Sequence, residues 1–249
     1  MNVVRVVLIG AAGRMGQALT RAAEDQSDVQ IAARVDVDDR IEDAINDCDV
    51  AIDFSHPDAT GRNCAVCTQS GKPLVIGTTG HSADQTRAIK LASTRIPVLL
   101  AANFSIGVNT LFWLTRKASE LLGDGFDMEI VETHHRLKKD APSGTAKRLA
   151  EILCELRSLD YNQDVAHGRQ GLIGERPAQQ IGMHAVRAGD VVGDHTVIFA
   201  TASERLELTH KASSRETFAT GALRAARWII GKPPNLYSME DVLGLSGSA

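Results

Sequence analysis

The chain begins its first apolar segment with VVRVVLIGAAGRMG, residues 3 to 16, and this stretch constrains the fold more than any other. β-Branched residues run almost unbroken from Val3 to Ile9 and stop at a glycine, which is the pattern of a strand buried on both faces of a parallel sheet. A helical pattern follows at once, with Met15, Ala18, Leu19, Ala22 and Ala23 recurring at helical spacing between residues 13 and 26. VQIAARV at 29–35 then reads as a second strand. Parallel neighbours need a crossover, so strand, tight turn and helix together commit this end of the chain to βαβ units. The same rhythm predicts strands at 49–54, 73–76 and 97–101 and helices at 58–70 and 83–93. The fold class is therefore α/β, with a doubly wound parallel sheet.

After Asn103 the pattern changes. A long amphipathic helix is predicted at 107–122, a strand at 128–132 and a helix at 146–156. Residues 158–180, rich in Gly, Gln and Arg, read as an irregular excursion. From 182 to 211 apolar runs alternate with turn residues, and Ala188-Gly189-Asp190 and Gly193-Asp194 carry hairpin signals, so a mixed or antiparallel sheet is expected. A last helix is expected at 218–230, closed by Gly231 and Pro233. With 249 residues and 43% hydrophobic content, the chain can bury the cores of two unequal domains, the second a smaller α+β unit.

Composition narrows the partners. No apolar run reaches the roughly 18 residues of a membrane span, and the apolar start, broken by Arg5, has no signal-peptide cleavage pattern. A cytoplasmic protein without membrane contact is expected. A formal net charge of -4 argues against nucleic acid as the main partner. Cys64-Ala-Val-Cys67 has metal-like spacing but no matching second pair, and it falls in a helical pattern where free cysteine is a small buried hydrophobe. No metal site is expected.

The turn after the first strand, Gly10-Ala11-Ala12-Gly13-Arg14-Met15-Gly16, repeats glycine every third residue between a strand and a helix. Glycine permits the tight turn and lets backbone N–H groups approach a pyrophosphate at the helix N-terminus, as in Rossmann-like dinucleotide sites. Asp36, ending the second strand, would accept hydrogen bonds from the adenosine ribose, and its charge would repel a 2'-phosphate. Val37 stands where a phosphate site would favour Arg, which tilts the reading toward NADH, although Arg34 and Arg40 flank the site and either could reach a phosphate. Two later strand ends, Gly77-Thr78-Thr79-Gly80 and Ala101-Ala102-Asn103-Phe104-Ser105, should lie beside the same cofactor and suit a nicotinamide carboxamide. Alternatively Thr78 and Asn103 cap the helices that follow.

The densest chemistry is ETHHRLKKDAPSGTA at 132–146. His134 and His135 should leave a strand end on opposite sides, one facing a ligand, and Lys138 and Lys139 should divide likewise into an inward and a solvated residue. Pro142 then sets Ser143-Gly144-Thr145 as the entry to a helix whose free N–H groups form an anion pocket. Cations, a helix N-terminus and a proton donor at one place describe a receptor for carboxylate or phosphate groups; a solvated basic loop before a capped helix is the plainer alternative.

Together with IDFSHP at 52–57, VIGTTG at 75–80, AANFSIGVN at 101–109, RAGDVVGDHTV at 187–197 and ERLELTHKASSRETFATGA at 204–222, these motifs resemble the dihydrodipicolinate reductase family over essentially the whole chain. The resemblance implies reduction of 4-hydroxy-tetrahydrodipicolinate, a small cyclic dicarboxylate, to tetrahydrodipicolinate by NAD(P)H in lysine and diaminopimelate biosynthesis. It implies that His134 gives or takes a proton near the reacting ring, that Lys138 is the proton donor, that His135 binds substrate and that Gly144 and Thr145 bind a substrate carboxylate. It further implies a discontinuous dinucleotide-binding domain, residues 1–105 and 216–249, around a substrate-binding and oligomerisation domain, residues 106–215. A homotetramer and a hinge near Ser105 and Arg215, with Arg215 approaching the substrate, belong to the same expectation. The chain departs from the pattern at Val37, at a short 38–49 loop and at Ser55, where Thr is common; the first two weigh against NADPH. Two rival readings are a semialdehyde dehydrogenase, which would need an exposed cysteine nucleophile in a strand-end loop, and a catalytically silent nucleotide sensor.

Overall fold

A computed structural model describes residues 3–214 and 216–245, so the expectation for Arg215 lies outside the described residues. The chain divides into two compact units, one running up to Ile106 and resuming at Glu216, the other filling the interval from Gly107.

The first unit holds a six-stranded sheet. In chain order its elements are β1 (Val4–Ile9), α1 (Arg14–Glu24), β2 (Val29–Val35), β3 (Val50–Asp53), α2 (Pro57–Gln69), β4 (Leu74–Ile76), α3 (Ala83–Ser93) and β5 (Pro97–Leu100). After the second unit, α7 (Glu216–Ile229), β11 (Asn235–Tyr237) and α8 (Met239–Leu243) complete it. The strand order is β11-β5-β4-β3-β1-β2 with every pairing parallel, as expected for a doubly wound sheet. The winding reverses between β1 and β3, the point beyond whose carboxyl ends ligands bind in such sheets.

Alternation along β1 explains why the sheet needs cover on both sides. Val6 and Leu8 join Leu19, Val29, Ala222 and Ile229 in one core, beneath α1, α7 and α8. Val7 and Ile9 face the other way, onto Cys67, Leu74, Ile89 and Val98. Each fully buried Leu or Ile contributes roughly 1.5–3 kcal/mol, and Leu8→Ala would cost about 2–5 kcal/mol. α3 occupies the span its periodicity predicts because Ser82 and Gln85 form a reciprocal cap, Ser82 Oγ accepting from Gln85 N at 3.3 Å and Gln85 Oε1 from Ser82 N at 2.7 Å. Cys64 and Cys67 are buried on α2, and burial pushes the Cys64 thiol up to about 12.

The second unit contains α4 (Ile106–Leu122, whose first residue belongs to the first unit), β6 (Asp127–His134), α5 (Gly144–Arg157), α6 (Tyr161–Asp164), β7 (Val165–His167), β8 (Ile181–Arg187), β9 (Gly193–Ala200) and β10 (Arg205–Ala212). Its sheet is mixed, in the order β10-β9-β6-β8-β7. Met128, Ile130, Val197 and Phe199 on one face pack with Leu149, Ala150 and Leu153 of α5.

Several expectations need correction. The turn at 188–190 does not close a hairpin: β6 lies between β8 and β9, pairing parallel with the former and antiparallel with the latter. Gly193 and Asp194 begin β9, and the hairpin of this sheet is β9–β10. The 158–180 excursion is not wholly irregular, since it carries α6 and β7. Half-buried Glu129 pins it, accepting from Arg169 Nη2 at 2.8 Å, Arg176 Nε at 3.0 Å and His184 Nε2 at 2.7 Å. Although burial pushes that carboxyl up, these donors hold it at about 2. The chain after α7 also adds β11 and α8, where only a helix end was expected.

Candidate active site

The glycine turn of the first unit is built by backbone proximity. Gly10 has φ +80, and a Cβ there would sit 2.5 Å from the Phe54 carbonyl oxygen; one at Gly16 would sit 2.4 Å from that of Gly10. Both obstacles are main chain, so only glycine lets β1, the turn and α1 close this tightly. Gly13 is the N-cap of α1, with no side-chain cap and no acid in the first turn, so the helix end keeps its positive character. Asp36 braces the loop: its Oδ2 accepts from Ala12 N at 2.6 Å, while its own N–H donates to Asp39 Oδ2 at 2.9 Å.

A cavity of about 530 Å³ opens at the switch point, with Gly10, Gly13, Asp36, Val37, Asp39 and Arg62 in its wall. A second of about 380 Å³ shares Gly13, Phe54 and Ser55 with it and adds Arg14, Met15, Gly77, Thr78 and Thr79. The two make a run along the carboxyl ends of β1, β3 and β4. Ala101, Ala102, Asn103 and Phe104 line neither cavity. The Phe104 ring is 2% exposed and packs on Phe54 at 5.5 Å between centroids, so its side chain belongs to the core. Asn103 Oδ1 accepts from Ser105 N at 2.8 Å.

Thr78 does not cap α3, which Ser82 caps; its Oγ1 donates to Asp53 Oδ1 at 3.2 Å. Asp53, fully buried, also accepts from Ser55 Oγ at 2.6 Å and Asn63 Nδ2 at 2.9 Å. This carboxylate fastens the ends of β3 and β4 to α2, and sequence reasoning missed it. An aspartate closing the apolar VAID strand was the available signal.

In the second unit the site grows from the end of β6. His134 is its last residue rather than part of a loop, 8% exposed, and shares a strand face with fully buried Glu132. Nδ1 of His134 lies 2.5 Å from Glu132 Oε2. Arg187 donates to both Glu132 oxygens, at 2.9 and 3.0 Å, and to the Asp140 carbonyl at 2.7 Å. Burial acts against the Glu132 carboxylate, but Arg187 and His134 hold it below the usual carboxyl range. Burial pushes His134 below its ordinary value despite Glu132, with the charges of Lys138 and Arg187 adding to the effect. His195 meets the His134 ring edge-on at 5.1 Å between centroids and shares a 3.0 Å hydrogen bond with Ser143 Oγ.

Lys138 is largely buried and held by both oxygens of Asp140 at 3.0 Å, whereas Lys139 is exposed. His135 is half-buried, and its Nδ1 has no hydrogen-bond partner among the described residues. α5 begins at Gly144, not Ala146, because Ser143 Oγ caps it, accepting from Ala146 N at 3.2 Å. No acid occupies its first turn, and a Cβ on Gly144 would meet nothing within 4 Å, so space adjoins the helix N-terminus. Sequence reasoning missed Glu132, Arg187, His195 and Asp140 as parts of this site. The Glu132/His134 spacing of two along a strand was a readable signal; Arg187 and His195 were not readable, because strand pairing alone brings them in.

Residues 4–104 match the family profile "Dihydrodipicolinate reductase, N-terminus", and residues 107–243 match "Dihydrodipicolinate reductase, C-terminus". The chain is 54% identical over 243 residues to a 4-hydroxy-tetrahydrodipicolinate reductase of Akkermansia muciniphila, covering 98% of this chain and 99% of that protein. It is 44% identical to a protein of the same name from Hahella chejuensis, covering 97% and 99%. Among solved structures it resembles a dipicolinate-bound dihydrodipicolinate reductase from Paenisporosarcina sp. TG-14, with TM-score 0.78 and 23% identity over 95% of this chain and 97% of that one. Two profile matches spanning nearly the whole chain, and relatives of this identity and coverage, show that the protein belongs to the dihydrodipicolinate reductase family of NAD(P)H-dependent oxidoreductases.

Proposed function

We propose that the chain reduces 4-hydroxy-tetrahydrodipicolinate to tetrahydrodipicolinate, with NADH as the preferred reductant. One observation carries the reading: Lys138, His134, His135 and the open N-terminus of α5 gather where β6 ends, so a proton donor stands beside a cradle for carboxylates. The reaction takes up one hydride and one proton and releases water. The dinucleotide fits the first unit, where Gly10 and Gly16 admit no side chain and the cavity wall is lined by a helix end and a ribose-seeking carboxylate. Gly10 to Met15 and Asp36 would hold it, with Gly77 to Thr79 and the backbone of Ala101 to Phe104 toward the nicotinamide. When bound, the reduced nicotinamide supplies the hydride.

The NADH preference rests on charge. Asp36 and Asp39 both line the cavity, and a 2'-phosphate there would face two carboxylates. Arg34 and Arg40 are exposed and line neither cavity, and Arg62 is engaged by Glu42 at 3.0 Å.

Lys138 delivers the proton. Both Asp140 oxygens hold its Nζ at 3.0 Å, which fixes where the donor stands. His134 is neutral, with Nδ1–H toward Glu132 and a lone pair on Nε2, so it accepts and orients. The N–H groups of Gly144 and Thr145, with His135, receive a substrate carboxylate. The second unit also builds a homotetramer, in the cytoplasm.

The test generates substrate in place from pyruvate and aspartate semialdehyde with the preceding synthase, and follows NADH and NADPH oxidation. Faster NADH turnover is expected. In Lys138→Met, turnover should fall about 10²- to 10⁴-fold while NADH affinity holds. Tight nucleotide binding without turnover in the unsubstituted protein would replace the enzyme by the nucleotide sensor.

A further inference from the structure

We infer that Glu132 is the positioning residue of the site: one buried carboxylate, clamped by Arg187, fixes the tautomer of His134 and anchors the segment that presents the α5 anion pocket. This rests on the reading of His134 as the proton-handling imidazole.

The geometry leaves each oxygen of Glu132 few choices. Oε2 accepts from His134 Nδ1 and from Arg187 Nη1 at 2.9 Å. Oε1 accepts from Arg187 Nη2 at 3.0 Å and from Ser143 N at 3.1 Å. Guanidinium and backbone N–H groups can only donate, so of the four partners the imidazole alone can change role. With the carboxylate present, Nδ1 carries the hydrogen and Nε2 keeps its lone pair. Gly193 leaves room at the Nε2 edge, since a Cβ there would lie 3.0 Å from it. The charged groups acting on His134 are Glu132 on its own strand, Lys138 beyond it and Arg187 from β8, and buried His195 of β9 packs against its ring.

The same carboxylate reaches the substrate cradle. Ser143, whose N–H Glu132 holds, caps α5, and Arg187 ties the Asp140 carbonyl just ahead of it. The ring that handles the proton and the helix end that takes the carboxylate therefore share one anchor.

Glu132→Gln tests this. An amide NH₂ placed at the Oε1 position would face two fixed donors. The Oε2 position faces one fixed donor, Arg187 Nη1, so the amide NH₂ is better placed there, where His134 can accept only by moving its hydrogen to Nε2; with Arg187→Met added, no fixed donor faces that position. Selective ¹⁵N-histidine spectra should show His134 as the Nδ1–H tautomer in the unsubstituted protein and as Nε2–H in Glu132→Gln. With substrate generated in place, kcat should fall on the order of 10²-fold while NADH affinity is unchanged. The amide leaves Arg187 without its counter-charge, so the double variant Glu132→Gln/Arg187→Met serves as a second carrier of the tautomer and rate measurements. The spectrum of the unsubstituted protein requires no variant at all. An Nε2–H or doubly protonated His134 at neutral pH in that spectrum, or a Glu132→Gln enzyme with kcat within about twofold of the original, would overturn the inference. If the unsubstituted protein shows the Nδ1–H tautomer but no turnover, the positioning geometry stands and the functional reading falls.

Discussion

Acidification should weaken the second unit, and His195 is the reason. Its ring is 4% exposed, Nε2 is committed to Ser143, and Nδ1 is buried without a partner among the described residues. Charging the ring would bury a cation with an unsatisfied donor. Burial, followed by the neighbouring His134, accordingly pushes the imidazole from 6.5 down to about 4. The unfolded chain thus binds a proton that the folded one refuses between these values, so stability is full above 6.5 and is lost as pH falls toward 4. At 1.36 kcal/mol per pH unit the interval from 6.5 to about 4 is worth about 3 kcal/mol, a sizeable part of the 5–15 kcal/mol typical of a folded domain. His134 and His210 are displaced in the same direction and add to the slope. Below 4.5 Glu129, held at about 2, continues the loss with the opposite chemistry, as its carboxylate and the donors around it are disrupted. The assay is urea unfolding at a series of pH values, read beside the His195 Cε1–H titration by NMR. His195→Phe keeps a ring and removes the titration, so its stability should fall less steeply between 6.5 and 4. Parallel pH profiles for the two proteins, or a His195 midpoint near 6.5, would refute the reasoning.

Three further outcomes are expected. Replacing both acids in the wall of the larger cavity, Asp36→Ala with Asp39→Arg, should move the NADPH-to-NADH ratio of kcat/KM upward by about 10- to 100-fold, the worth of one or two charge-assisted hydrogen bonds to a phosphate, as steady-state kinetics with each nucleotide will show. Gly16→Ala should raise the NADH Kd at least about tenfold and lower the melting temperature, because its Cβ would meet the Gly10 and Ala11 carbonyl oxygens at 2.4 and 2.5 Å and neither is a side chain that can swing away; nucleotide fluorescence titration and calorimetry measure both. Native protein at pH 8 should resist alkylation at Cys64, whose thiol burial holds at about 12, and react once unfolded in urea; mass spectrometry after iodoacetamide distinguishes the two states.

Local pattern and long-range pairing divide what could be read in advance. The glycine turn, β1 and α3 declare themselves through periodicity and caps, which are properties of neighbouring residues. The same holds for the basic cluster, because His134, His135 and Lys138 are close in the chain. By contrast, the turn at 188–190 looks like a hairpin and is not one, since nothing in its own composition says that β6 will come between β8 and β9. β11, the three residues NLY directly following two prolines, carries no strand pattern of its own, although the Ser238/Asp241 cap of α8 is a local signal. The Asp53 carboxylate that holds the Thr78 hydroxyl lies 25 residues earlier, and only the pairing of β3 with β4 brings the two together. Arg187 stands 55 residues from Glu132, and only the parallel pairing of β6 with β8 brings the two within hydrogen-bond reach.

The interruption of the first unit has a consequence for how the protein is made. α7 supplies Ala219, Ala222, Leu223 and Ile229 to the core that covers Val6, Leu8 and Leu19, and Arg227 ties it to Asp28 at 2.7 Å. Those partners leave the ribosome at opposite ends of translation. At 5–20 residues per second, the residues from 107 to 215 take roughly 5–20 s to emerge, during which β1 and α1 wait with one apolar side uncovered. The inserted unit, contiguous in sequence, can close in that interval. The core of the first unit is thus complete only once α7 has arrived.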